Sequence, residues 1–215
     1  FLNSKHKDQA VSKNTYYRFL NETSYNWKKF LLFLAVKVTS VFDTLTRPER
    51  VKVLVLDDSV IKRNRSKKVE LLARVYDHVE HKFQKGFTLL TLGWSDGYSF
   101  IPVSFNMLSS AKKSNRYQEI ASDVDRRSNG YKARKESMMA KTDAAVLMVG
   151  QALSAGIQAD HVLMDTWFTT EPMMRSILAA GLDVIGMVKQ LKQLYTYKGR
   201  HILCPNYKNS SILMV

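Results

Sequence analysis

Cysteine is almost absent from this 215-residue chain. Its single copy, Cys204, excludes an internal disulfide and fits a reducing cytosol. No apolar run reaches the roughly 18 residues that would suggest a membrane-crossing helix, and the longest candidate, Phe30 to Val38, is interrupted by Lys37. There is no P-loop pattern, so ATP use is not indicated. There is no internal repeat, no low-complexity tract and no signal-peptide pattern after Phe1. His78 and His81 lie close together, but no further His or Cys stands at a structural-zinc spacing, so they read as polar residues on an exposed helix or strand. Cys204 has no base partner that would make it a nucleophile. Acid is also scarce: 19 Asp+Glu face 33 Lys+Arg, giving a net charge of +14 and a pI near 9.8.

What is present is a globular composition, 45% hydrophobic and 24% charged. The length suits one large domain, or one domain with a small appendage, and either can bury a core. The basic excess is uneven. It is largest in residues 1–52 and 106–150, and two clusters stand out: Lys62, Arg63, Arg65, Lys67 and Lys68, then Arg126, Arg127, Lys132, Arg134 and Lys135. One such cluster is ordinarily a solvated surface. Two, in a chain this basic and with aromatic residues interleaved, point to a polyanion, and nucleic acid is the expected partner.

Residues 1–47 read as helical, with Trp27, Phe30, Leu31, Leu34, Val38 and Val41 at helical spacing and a polar turn at Asn21–Tyr25. Arg47-Pro48 is a breaker. Val51 to Leu56 is β-branched and apolar, and predicts a buried strand ending at Asp57-Asp58-Ser59, with the charged Lys62–Lys68 stretch as a loop. Phe87 to Trp94 and Ser99 to Asn106 predict two further strands. Asp96-Gly97 is their hairpin turn, and Pro102 marks an edge or a bulge. Residues 107–135 are polar and weakly patterned. Ser137 to Ala155 predicts a helix stopped by Gly156, His161 to Met164 a short strand, Thr170 to Ala180 a helix, and Leu182 to Val188 another strand. From Leu191 a β-hairpin is expected. Three antiparallel strands followed by αβαβ is the order of the ribonuclease-H-like fold, an α/β class with a mixed sheet.

In that order Asp58 and Asp165 follow the first and fourth strands, which would run parallel and adjacent. Two carboxylates held close repel one another, and a divalent cation between them removes that cost. Mg²⁺ favours such oxygen donors and leaves positions for phosphate and water. Either Asp alone is more simply a turn or helix cap. The pair, in a basic chain, favours a metal site.

Leu56-Asp57-Asp58-Ser59, the basic run after it, Gly93-Trp94-Ser95-Asp96-Gly97 and Val162-Leu163-Met164-Asp165-Thr166-Trp167-Phe168 together resemble bacterial insertion-sequence transposases of the DDE superfamily, over roughly residues 10–200. The resemblance implies that Asp58 and Asp165 are catalytic and hold two Mg²⁺ or Mn²⁺ ions, with Asp57 a lesser contributor. It implies metal-dependent cleavage at transposon ends and strand transfer into target DNA. A homodimer on DNA, in the bacterial cytoplasm at the nucleoid, and no membrane are expected with it. The implied organisation is a helical, candidate DNA-binding region at 1–47, a catalytic core at 48–190 and the start of a β-rich insertion at 191–215. The family's catalytic Glu has no counterpart in this chain, whose last acidic residue is Asp183. The chain, ending at Val215 in an apolar run, is therefore expected to be a fragment, stopping before that Glu and inactive alone. Two alternatives remain open: a DNA-binding relative or decayed transposase without catalysis, and a ribonuclease-H-like nuclease unrelated to transposition.

Overall fold

A computed structural model describes residues 12–187, 194–197, 200–203 and 212–214. Helices α1 (Lys13–Asn21) and α2 (Trp27–Leu45) open it, each capped by a side chain: Ser12 accepts from the Thr15 amide and Asn26 from the Lys29 amide. The polar turn expected between them is there. Then follow β1 (Val53–Lys62), β2 (Ala73–Asp77), β3 (Lys82–Ser95), β4 (Phe100–Leu108), α3 (Asn129–Glu136), α4 (Lys141–Ser154), β5 (His161–Met164), α5 (Glu171–Ala179) and β6 (Asp183–Met187). Three short strands follow: β7 (Leu194–Tyr197), β8 (Arg200–Leu203) and β9 (Ile212–Met214). No helix among the described residues is long and apolar enough to cross a membrane.

Seven strands form one mixed sheet, in the order β2-β3-β1-β5-β6-β9, with β4 pairing the rest of β3. β1, β3 and β4 are the antiparallel meander, and β5 and β6 join parallel through crossover helices. This is the ribonuclease-H-like mixed sheet expected from the element order. β7 and β8 pair as a separate hairpin, and the Gly97 turn has the anticipated positive φ of 87°. Pro102 lies on edge strand β4, where the register with β3 slips between Leu92 and Gly93.

One face of the sheet carries α2, α4 and α5. Leu54, Leu56, Leu90, Leu92, Trp94, Val162, Met164 and Val184 point into a single core with Ala145, Met148 and Val149 of α4 and Ile177 of α5. Helix α2 contributes Ala35 to the same cluster, with Leu32, Val36 and Phe42 packed against it. Each large side chain so buried is worth about 1.5–3 kcal/mol. The start of β1 is tied to the start of β5: the Lys52 amide donates to Asp160 Oδ2, and the Asp160 amide to the Lys52 carbonyl, both at 2.8 Å.

Three expectations are corrected. β1 does not end at Asp57-Asp58 but runs to Lys62, because the long β3 offers a partner to each of its residues, Asp58 opposite Leu90. His78 and His81, expected on an exposed helix or strand, lie instead in the turn that joins β2 to β3. The helix expected from Ser137 starts only at Lys141, and a separate helix, α3, lies before it in the stretch read as weakly patterned. The Ser137 hydroxyl bonds the Arg134 carbonyl at 2.7 Å and its own carbonyl accepts from Ser109, so α3 ends there.

Candidate active site

Pairing of Leu56 with Met164 fixes the two aspartates. Asp165 is the first residue beyond β5 and Asp58 lies two residues beyond Leu56, so both stand at the same end of neighbouring parallel strands. Side chains alternate along β1, so Asp58 shares the helix-covered face with Leu54 and Leu56 and is largely sheltered. Asp57 points to the other face, is exposed, and accepts the Asp58 amide at 2.8 Å.

Asp58 is not alone. Lys141, the first residue of α4, brings its ammonium to 2.9 Å from Asp58 Oδ1. The same ammonium stands 5.0 Å from the ring centre of fully buried Phe168. No residue pattern announces Lys141, since the contact joins positions 83 apart in the chain. Asp165 organises the turn after β5. Its Oδ1 accepts from the amides of Trp167 (2.9 Å) and Phe168 (3.4 Å), and its carbonyl accepts the Thr169 hydroxyl at 2.7 Å. Oδ2 is the oxygen this turn does not use. Thr169 in turn rests on Gly186 of β6, where an added Cβ would meet Thr169 Oγ1 at 2.4 Å. The turn-capping role weighed for Asp165 is therefore real, and it leaves one oxygen for other work.

Among the described residues no three His, Cys, Asp or Glu cluster as a complete metal cage. The donors do fit an incomplete one. Hard carboxylate oxygens at one sheet end suit Mg²⁺ or Mn²⁺, whose remaining positions go to water and phosphate. The Lys141 ammonium on Asp58 shows that this carboxylate already draws a cation.

The basic clusters meet in space. Arg134 of α3 pairs with Glu70, which follows the first cluster and also accepts the Ala121 amide. Arg63, Lys132 and Arg134 line one cleft of about 680 Å³ with Tyr25 and Trp27. Lys62 is otherwise engaged: it pairs with Asp77 at 3.1 Å and with Glu80. Those carboxylates, Glu80 first, raise Lys62 above the ordinary lysine value. Lys62, then Lys82, hold Glu80 below the usual carboxylate range, and the Glu80 amide, then Lys62, do the same for Asp77. Arg65, Lys67, Lys68, Arg126, Arg127, Lys132 and Lys135 are exposed and form no ion pair among the described residues.

No curated protein matches the sequence. Among solved structures, the Drosophila P element transposase strand transfer complex aligns with 89% of this chain and 40% of that chain, at 10% identity and a TM-score of 0.33. The chain thus spans less than half of that transposase's length. A family profile described as DDE superfamily endonuclease matches residues 4–210, nearly the whole sequence, and the chain belongs to that family.

Proposed function

We propose that this chain carries the metal-binding half of a transposase active site, cleaving DNA at transposon ends and joining the freed end to target DNA. The observation that carries the reading is the placement of Asp58 and Asp165 one step apart on adjacent parallel strands, beside a pair of basic clusters. Asp58 and Asp165 would hold two Mg²⁺ or Mn²⁺ ions, Asp165 through the oxygen its turn leaves unused, while Asp57 faces the other side of β1. Such ions supply charge neutralisation and Lewis acidity toward a phosphodiester and its attacking water. Lys141, released from Asp58, is left beside the phosphate, where its charge favours the extra negative charge of the transition state. The exposed Arg65, Lys67, Lys68, Arg126, Arg127, Lys132 and Lys135, with Arg63, take DNA phosphates and fix the duplex relative to the carboxylates. Family membership supports cleavage; transposon ends, target joining, a homodimer on DNA and a bacterial, nucleoid setting belong to the same proposal.

Calorimetric titration of residues 1–215 with Mn²⁺, beside a plasmid-nicking assay in Mg²⁺, tests it. Asp58→Asn and Asp165→Asn are expected to weaken Mn²⁺ binding roughly tenfold or more, in the range that loss of a supporting ligand costs. The unsubstituted chain should bind DNA with little turnover, because its described residues supply no third carboxylate to the pair. Mn²⁺ binding that survives both substitutions would sink the assignment.

A further inference from the structure

The β2–β3 hairpin carries a feature that neither the carboxylates nor the basic clusters require. In register, Arg74 pairs with Lys85 and Tyr76 with Phe83, so these four side chains share one face of the ribbon, opposite the buried Val75, Asp77 and Gln84. Their contacts make a row. The Arg74 guanidinium lies 3.9 Å from the centre of the Phe83 ring, Phe83 meets Tyr76 at 5.1 Å, and Tyr76 meets His78 at 4.9 Å. His78 then stacks on Trp167 at 4.1 Å, with 36° between the planes. At the other end the Lys85 ammonium sits 4.7 Å from the Tyr117 ring centre.

The row ends at the candidate active site. Trp167 lies two residues after Asp165, and its amide is held by that carboxylate, so one turn orients both the ring and the acid. Aromatic pairs across a hairpin ordinarily serve to stabilise it. Here the rings remain open to solvent: Tyr76 is 38% exposed, Trp167 45%, Tyr117 51% and Phe83 55%. The acids of the hairpin do not repel an anion, because Lys62 and Lys82 neutralise Asp77 and Glu80. What is left is a row of half-open rings running from Trp167 to Phe83, with Arg74 and Lys85 side by side at its far end.

We infer that this strip is a binding track for unpaired nucleotides next to the bond that is cut. Bases stack on the exposed parts of Trp167, Tyr76 and Phe83, while Arg74 and Lys85, at the Phe83 end of the row, take the phosphate that follows. Duplex DNA keeps its base faces covered and can offer such a surface only phosphates, so the strip selects a frayed or single strand. The inference rests on the DNA-cleaving reading for its setting but not on the metal site for its test.

That test is fluorescence anisotropy with residues 1–215 in EDTA, where metal-site chemistry is silent. The probes are a labelled oligothymidylate and a strand of equal length whose central residues are abasic. Each lost stack costs about 5- to 150-fold, so the abasic strand is expected to bind at least fivefold more weakly. Trp167→Ala and the Tyr76→Ala/Phe83→Ala double variant should lose a similar factor for oligothymidylate and less than twofold for a blunt duplex. Trp167→Phe should restore most of it. Equal affinity for the two strands overturns the inference without any variant having to fold. Equal loss of single-strand and duplex binding also overturns it, since that would mark a general basic surface. Loss of Mn²⁺ binding or cleavage with the strand preference intact would instead count against the carboxylate site alone.

Discussion

At the scale of single residues, Lys141 has the most to say. Its ammonium and a divalent cation compete for the same Asp58 oxygen, so removing it should favour the metal. Lys141→Met is expected to tighten Mn²⁺ binding about threefold, the worth of a partly exposed ion pair. Calorimetry measures it, and weaker Mn²⁺ binding in the variant would mean that Lys141 supports the ligands rather than competing with them. Asp58 was legible in the sequence because an apolar β-branched run ends in acid, and Asp165 for the same reason. Lys141 was not, because its partner is chosen by how α4 lies against the sheet. Nor could the sequence separate free from engaged cations: Lys62 and Arg134 look like their neighbours in the chain, yet each is paired with an acid that only the fold brings near.

At the scale of elements, strands and helices with clean periodicity were legible: α2, β4, β5, α5 and β6 lie where the pattern put them, within a residue or two. β2 was missed because a carboxylate, Asp77, occupies one of its inward positions, satisfied there by Lys62 and the turn amides of Val79 and Glu80. β1 was cut short for a related reason, since paired acids signal a strand's end locally while pairing with β3 carries the strand on. The β3–β4 turn gives a pH prediction. Burial pushes the Asp96 carboxyl upward, but amide bonds from Ser99 and Tyr98 and the Arg50 guanidinium outweigh it and hold it below the usual carboxylate range. A carboxyl depressed on folding contributes stability that is complete above its unfolded value, about 3.9, and is lost as pH falls through the lower folded value. Asp96→Asn should therefore be less stable than the unsubstituted chain near neutrality and lose less between about pH 6 and pH 2. Thermal melts across that range decide it, and parallel curves for the two proteins would refute the role given to Asp96.

At the scale of the whole molecule, the net charge of +14 is what remains of the basic residues after the acids are matched. Among the described residues, unpaired cations cluster on the loop after β1 and around α3. Replacing Arg126, Arg127, Lys132 and Lys135 with Ala should flatten the dependence of log affinity for duplex DNA on log salt by about three to four, near 0.9 per lost phosphate contact. Anisotropy titrations over a KCl series give that slope, and an unchanged slope would move the DNA elsewhere on the surface. The return of the chain at β9 has a different kind of consequence. Met187, where β6 ends, is the register partner of Ile212, where β9 begins. The excursion that contains the β7–β8 hairpin therefore leaves and re-enters the sheet at one doorway. Lengthening such a closed detour costs only about 0.6 kcal/mol per doubling. The edge of this sheet is thus a splice point, where a module of almost any size can be grafted while Asp165 and Asp58, on strands two and three in from β9, keep their register.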